Sequence, residues 1–141
     1  KAGLALVPHI IVGLHFGRLK GEFKALEMIS RYDPAAVVLL GLMPLKGTPI
    51  EKVNPPAPED IASMLILARL ILPETPLALG CMRPLGKHRI KTDVFAVMAG
   101  INGIAFPSEE AIALAKSLGL QTKFSQVCCS QICELKSLNQ I

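Results

Sequence analysis

The sequence is poor in aromatic residues and in charge. It has no Trp and one Tyr, and charged residues make up 18% of it, below the quarter or so that soluble domains usually carry. Its net charge of +4 is a mild bias, and proteins that bind nucleic acids generally add aromatic stacking platforms to a strongly basic surface. We therefore expect no nucleic-acid partner. The 51% of hydrophobic residues excludes a disordered chain.

Long uninterrupted apolar runs are also missing. The longest stretches without Asp, Glu, Lys or Arg are 2–17, 34–45 and 94–108, and each contains Gly, Pro or His. None approaches the roughly 20 residues that span a bilayer, whereas strands covered on both faces explain them. We expect no membrane partner. The four cysteines lack the spacing of a disulfide framework, which favours a reducing, cytoplasmic compartment. The first residue is not Met, and we expect the chain to begin inside a longer reading frame.

Apolar and amphipathic stretches alternate along the chain. Continuous apolar stretches rich in Val, Leu and Ile predict four strands, at 4–14, 35–42, 77–80 and 103–106. Helical periodicity and capping residues predict a helix after each strand, at 21–32, 58–72, 92–99 and 109–118. A further strand is predicted at 123–127. The pattern thus repeats a strand–helix unit four times.

This repetition predicts an α/β fold with a parallel sheet. Two architectures fit, an open doubly wound sheet or part of a (β/α) barrel of the TIM type. A complete barrel needs about 250 residues, so four units would form half of one. We divide the chain into a partial barrel at 1–122 and a cysteine-containing tail at 123–141. Ligands of both architectures bind where strands end and helices begin, which directs attention to the loops at 13–20, 42–57, 80–91 and 106–108.

Basic residues crowd the third of these loops. Arg83, Lys87, Arg89 and Lys91 fall within nine residues. An Arg at the end of a strand can hold a carboxylate or a phosphate through two parallel hydrogen bonds, and the other cations would deepen the positive potential. A solvated loop is the alternative explanation. Cys81 precedes this group, and a cysteine there can equally be a small buried hydrophobic residue.

The remaining cysteines lie in the tail, at Cys128, Cys129 and Cys133. Thiolates bind zinc, copper(I) or iron–sulfur centres, so the three are candidate metal ligands. Adjacent cysteines do not easily bind one metal ion, and idle thiols in a flexible tail are the alternative. The sequence contains no C-x-x-C, H-E-x-x-H, G-x-S-x-G or P-loop motif.

Six segments occur in the order and at the spacing found in one enzyme family. They are Ile11-Val12-Gly13-Leu14, Gly47-Thr48-Pro49-Ile50, Ala68-Arg69-Leu70-Ile71-Leu72-Pro73, Leu79-Gly80-Cys81-Met82-Arg83-Pro84, Met98-Ala99-Gly100-Ile101-Asn102-Gly103-Ile104 and Ala115-Lys116-Ser117-Leu118-Gly119-Leu120. Through them the chain resembles the C-terminal half of radical S-adenosylmethionine enzymes of the biotin synthase and lipoyl synthase-like group. The resemblance covers nearly the whole chain up to Leu120.

The resemblance implies a (β/α) barrel that, in the complete enzyme, holds S-adenosylmethionine and a [4Fe–4S] cluster. The cluster cleaves S-adenosylmethionine to methionine and a 5′-deoxyadenosyl radical, which abstracts hydrogen from a small-molecule substrate. The resemblance places the adenosyl part against Ile11, Val12, Gly13, Leu14, Met43, Pro44 and Leu45. It places a substrate or second cluster near Cys81 and Arg83, with Lys87 and Arg89 in the same neighbourhood.

Two features depart from the family pattern. The C-x-x-x-C-x-x-C triad that holds the radical cluster is absent, and Phe16 stands where the family has Glu. We therefore expect a fragment or subunit of such an enzyme, acting in sulfur insertion or related cofactor biosynthesis and inactive alone. Its partner would be the missing N-terminal half-barrel, on the same chain or a separate subunit, unless the open edges self-associate. The alternatives are a non-catalytic half-barrel that binds or scaffolds, and a metal-handling protein that uses the tail cysteines.

Overall fold

Strands and helices alternate throughout the computed structural model, which describes residues 3–132. The strands are β1 (His9–Val12), β2 (Val37–Gly41), β3 (Leu77–Leu79) and β4 (Gly103–Ile104). The helices are α1 (Glu22–Ser30), α2 (Pro58–Ile71), α3 (Lys87–Met98) and α4 (Glu109–Ser117). No helix within 3–132 is both long enough and apolar enough to cross a membrane.

The four strands form one parallel sheet in the order β1-β2-β3-β4. Each helix packs against the next one along the chain. A doubly wound sheet reverses direction at a switch point, where a later strand is added on the other side of β1, whereas a barrel adds every unit in the same direction. The prediction of an α/β fold with a parallel sheet is confirmed, and the strand order is that of half a (β/α) barrel.

The two faces of the sheet have different coverings. Alternate strand residues, among them Val12, Leu39 and Leu79, pack in one core with Leu26 of α1 and Leu65 of α2. Because strand side chains alternate between faces, the intervening residues point the other way. They form a second cluster that contains no residue of the four helices, made by Ala36, Val38 and Ala78 with Val7, Leu40, Cys129 and Ile132. This second side is called the inner face below, because it would line the inside of a barrel.

Several helix ends follow directly from the sequence. Pro58 opens α2, and the Asp60 carboxylate accepts a hydrogen bond from the Ala57 amide at 3.2 Å. Ser108 is the N-cap of α4, and its hydroxyl accepts from the Ala111 amide at 3.3 Å. Both arrangements satisfy amides that have no partner inside the helix. The predicted cap of α4 is thus confirmed.

Three predicted bounds are wrong. Helix α3 begins at Lys87, five residues before the predicted start, so residues 87–91 of the predicted loop at 80–91 form its first turn and a half. Strand β1 covers only His9–Val12 of the predicted 4–14. Residues 123–127 form no strand, because this segment runs past the β4 edge without pairing to it. The division of the chain at residue 122 stays a prediction, although Ile132 is buried against the inner face.

Candidate functional site at the carboxyl ends of the strands

A buried carboxylate organises the loop that leaves β1. Glu22 is almost fully buried, and its Oε1 accepts a hydrogen bond from the Gly13 amide at 2.8 Å. Its Oε2 accepts from the amides of Lys20 and Gly21 at 2.8 and 2.9 Å. Burial by itself would raise the pKa of Glu22, but the amide hydrogen bonds outweigh it and hold the pKa below its ordinary value. The charged carboxylate therefore ties both ends of the loop together.

The same loop packs tightly on the segment that precedes α2. Gly17 has φ +80°, and a Cβ placed on it would lie 2.0 Å from the Asn54 carbonyl oxygen. Gly13 also has φ +80°, and a Cβ there would lie 2.8 Å from Pro56. Only glycine combines this backbone conformation with such close approach. The β1 and β2 loops therefore form one continuous rim.

The predicted nucleoside residues occupy this rim but differ in what they expose. The side chains of Ile11 and Leu14 are open to solvent, whereas Val12 is fully buried in the core on the helix side. The Val12 carbonyl accepts from the Leu42 amide at 2.9 Å, and the Gly13 amide is bonded to Glu22. The rim therefore offers apolar side chains more readily than free backbone groups.

The second half of the predicted nucleoside set lies just after β2. Met43 and Pro44 are half-buried and Leu45 is exposed. These residues follow Leu42, whose amide is bonded to the end of β1. The two predicted groups thus leave neighbouring parallel strands on the same edge of the sheet.

Arg83 is wholly buried, and its donors meet acceptors of the chain itself. Its Nε donates to Asp93 Oδ1 at 2.7 Å, and neither side chain has any exposed surface. Its Nη1 donates to the Gly80 carbonyl at 2.6 Å and its Nη2 to the Ala105 carbonyl at 2.9 Å. An external anion would have to displace Asp93. The role of Arg83 in holding an anion stays a prediction. In the structure, the hydrogen bonds of Arg83 join the end of β3 to the end of β4.

Asp93 extends this hydrogen-bond network to the start of α4. Its Oδ2 accepts from the Ser108 amide at 2.8 Å, and Arg89 Nε lies 3.9 Å from the same oxygen. Asp93 falls near the start of the helix predicted at 92–99, but it lies in the middle of α3 because the helix begins at Lys87. A carboxylate buried there needs cationic and amide partners, and Arg83, Arg89 and the Ser108 amide surround it.

The other basic residues are only partly engaged. Arg89 donates to the Phe106 carbonyl, and Lys91 pairs with Glu59 of α2. Lys87 lies exposed at the first position of α3. Because these contacts run between elements, the basic segment also joins α3 to α2 and to the end of β4.

Cys81 lies on a cavity beside the β4 edge. The cavity has a volume of about 740 Å³ and is bounded by the end of β3, by β4, by α4 and by residues 120–132. Cys81, Cys128 and Cys129 are free thiols on its wall. Cys133, the third predicted tail ligand, lies outside the described residues. Within 3–132 no three His, Cys, Asp or Glu side chains come close enough to hold a metal ion.

Curated relatives are similar to this chain in sequence. The chain is 27% identical over 109 residues to a biotin synthase of Synechococcus sp. strain RCC307, which covers 74% of the chain. It is 29% identical to the biotin synthases of Zymomonas mobilis, over 106 residues, and Neorickettsia sennetsu, over 119 residues. The chain is related to biotin synthase.

The likeness to biotin synthase covers most of the chain but a minor part of each relative. The matches take in 32%, 31% and 35% of the three relatives, so the chain spans about a third of the length of the biotin synthases it matches. No protein-family model and no solved structure matches the chain.

Sequence reasoning missed Glu22 and Asp93 as organisers of the rim. Glu22 falls at the start of the helix predicted at 21–32, and only the tertiary fold places its carboxylate under the β1 loop. Asp93 gave one usable signal, since it is the only acidic residue between Glu74 and Glu109 in a segment rich in cations. A buried Arg at the end of β3 would have required such a partner.

Proposed function

We propose that the chain is a fragment or subunit of a radical S-adenosylmethionine enzyme of the biotin synthase-like group, contributing nucleoside- and substrate-binding loops. The observation that carries this proposal is the half-barrel sheet whose four loops meet on one rim, together with the similarity to biotin synthases. Sulfur insertion or a related step of cofactor biosynthesis would be the reaction.

The rim residues suit the adenosyl part of S-adenosylmethionine. The exposed side chains of Ile11 and Leu14 offer apolar surface for a flat base, and Leu45 lies on the next loop along the rim. The hydrogen bond from the Gly13 amide to Glu22 and the close packing of Gly13 and Gly17 hold this surface in its conformation before a ligand binds. Preorganisation of this kind lowers the cost of binding.

The iron–sulfur cluster does not fit the described residues. A [4Fe–4S] cluster takes cysteine thiolates as ligands, and no group of three metal-binding side chains occurs within 3–132. In the complete enzyme, the cluster would supply the electron that cleaves S-adenosylmethionine. We therefore assign this chain binding and positioning, and we place the cluster ligands on the part of the enzyme that it lacks.

The flank of β1 suits the missing half of the barrel. Among residues 3–132, strand β1 pairs with β2 alone, and a groove of about 520 Å³ runs beside it. The exposed apolar side chains of Ile11 and Leu14 line this groove. A strand edge with unpaired backbone groups favours addition of another strand, and the other two thirds of the matched biotin synthases lie outside the chain's span.

Binding of S-adenosylmethionine to the purified chain tests the nucleoside site. We expect saturable binding by calorimetry, at about millimolar Kd for half a site, and NMR shift changes confined to residues 11–14 and 43–45. Leu14→Asp should weaken binding at least about tenfold, or 1.4 kcal/mol. Leu70→Asp is the matched control, because Leu70 is at least as exposed as Leu14 but lies on α2. Absence of saturable binding, or equal loss in both variants, would overturn the assignment.

A second experiment tests the partner surface. The chain is mixed with the N-terminal part of a matched biotin synthase, and complex formation is followed by sedimentation. We expect a one-to-one complex that Ile11→Lys disrupts and Leu70→Lys leaves intact, because Ile11 lies on the open edge strand. Association of the chain with itself, without any mixed complex, would assign the flank to a second copy instead.

A further inference from the structure

Two thiols that lie far apart in the sequence meet on the wall of the cavity beside β4. Cys81 follows the end of β3, and Cys129 belongs to the short helical turn at 129–132. After burial, the backbone of Cys81 has the largest influence on the pKa of the Cys129 thiol. The turn that carries Cys129 therefore lies close to the end of β3.

Packing on the inner face fixes Cys129 in this position. Its side chain packs on the cluster formed by Val38, Ala78 and Ile132. Ile132 is only 6% exposed, and a Cβ on Gly103 would lie 2.6 Å from its Cδ1. Ile132 thus anchors the turn on the inner face, where Cys129 packs beside it.

The neighbouring Cys128 has different surroundings. It is exposed, and its sulfur is hydrogen bonded by the hydroxyl and the amide of Ser130. Its amide donates to Gln131 Oε1 at 3.2 Å. Cys128 is therefore held by its own turn and not by β3.

We propose that Cys81 and Cys129 form a reversible disulfide that locks the tail onto the inner face. The oxidant is a small-molecule disulfide such as oxidised glutathione. The thiolate of one cysteine attacks it, forms a mixed disulfide and releases one glutathione thiolate. The second cysteine then attacks the protein sulfur of the mixed disulfide and releases the other glutathione. Two protein thiols lose two electrons and two protons, and the two electrons reduce the oxidant to two glutathione molecules.

The surroundings of the two thiols set the order of these steps. Cys81 is exposed and therefore accessible to the oxidant. Cys129 is half-buried, and burial raises the pKa of its thiol, which disfavours the reactive thiolate. Cys81 therefore takes up the mixed disulfide, and Cys129 resolves it. The product ties residue 129 to residue 81 across the cavity mouth.

Three double variants test the pairing, because each retains Cys81 and one tail cysteine. C128S/C133S retains Cys129, C129S/C133S retains Cys128, and C128S/C129S retains Cys133. Each reduced full-length variant is treated with a glutathione redox buffer, alkylated and analysed by mass spectrometry. We expect C128S/C133S to form an intramolecular disulfide on the order of tenfold faster than the other two, since disulfide geometry is restrictive. Peptide mapping of the oxidised wild-type chain should show Cys81 joined to Cys129.

Several outcomes would overturn the proposal. These are a wild-type link between Cys128 and Cys129, a link from Cys81 to Cys128 or Cys133, and glutathione adducts without any internal link. Equal rates in the three variants would also count against it, because they would show a freely sampling tail. Circular dichroism of the reduced variants checks that the serines preserve the fold, and the wild-type peptide map decides the pairing even where a variant does not fold.

Discussion

Arg83 and Asp93 form an ion pair with no exposed surface on either side chain, at 2.7 Å between Nε and Oδ1. Arg83 follows β3, Asp93 lies within α3, and their remaining hydrogen bonds reach the end of β4 and the start of α4. This ion pair and its hydrogen bonds thus connect β3, α3, β4 and α4. We interpret its role in the candidate site as positioning these four elements.

Asp93→Asn should be strongly destabilising. It leaves the Arg83 charge buried without its counter-ion, which typically costs about 3–5 kcal/mol. The double variant Arg83→Met/Asp93→Leu should recover much of this loss, because no charge then remains buried. Urea unfolding measures both. Glu59→Gln is the control, since it breaks the exposed pair with Lys91 and should leave the free energy of unfolding little changed. A loss for Asp93→Asn as small as that of the control would contradict the expected role.

Glu22→Gln should destabilise the chain in a pH-dependent way. At neutral pH we expect a loss of about 1–3 kcal/mol, because a charged acceptor of three amides is replaced by a neutral one. The pKa of Glu22 is lowered by folding, so the stabilisation is complete above the ordinary pKa of 4.5 and disappears as the pH falls through the lower value of the folded state. The stabilities of the two proteins should therefore converge in acid. Parallel unfolding curves at every pH would contradict this.

A comparison of Gly17→Ala with Gly47→Ala separates the energetic cost of backbone strain from the cost of steric crowding. The two glycines have φ +80° and +82°, so an L side chain is strained at both, at about 1–2 kcal/mol each. Only Gly17 faces a close neighbour, the Asn54 carbonyl, whereas Gly47 faces open space. Gly17→Ala should therefore cost roughly 1–3 kcal/mol more than Gly47→Ala, as measured by thermal or urea unfolding. Equal costs would show that the two rim loops are not held together.

Ile132→Asp should release the tail without unfolding the sheet. Ile132 is buried on the inner face, and a carboxylate there would have no partner. We expect faster alkylation of Cys129 and faster amide exchange at 126–131, with unchanged exchange in β2 and β3. Val127→Asp is the matched control, because Val127 is already 46% exposed. An identical alkylation rate in both variants would show that Ile132 does not anchor the turn.

The sequence was sufficient to predict the elements that local patterns define. Val37 to Leu40 reads as one apolar run because β2 is covered on both faces, by helices on one side and by the inner-face cluster on the other. Ser108 stands immediately before acidic residues and an apolar stripe, which identifies a helix start. Both patterns are local, and both predictions were confirmed.

Features that depend on tertiary contacts were missed or misplaced. The start of α3 was hidden because Lys87, His88 and Arg89 resemble a polar, solvated loop. In the structure, the side chains of His88 and Arg89 reach Pro56 and Phe106 from the first turns of the helix. Burial of Arg83 was equally invisible, because its partner lies ten residues away and three of its acceptors are backbone carbonyls. The basic cluster therefore looked like a free anion site.

The place of Ile132 has a consequence for how a barrel completed around this sheet could be filled. Ile132 packs with Ala36 and Ala78 and lies against Gly103. These three residues stand just before β2, in the middle of β3 and at the start of β4. With this side chain in place, the chain already carries a floor for the interior. A molecule bound inside would have to enter and leave from above, past the loops of the rim.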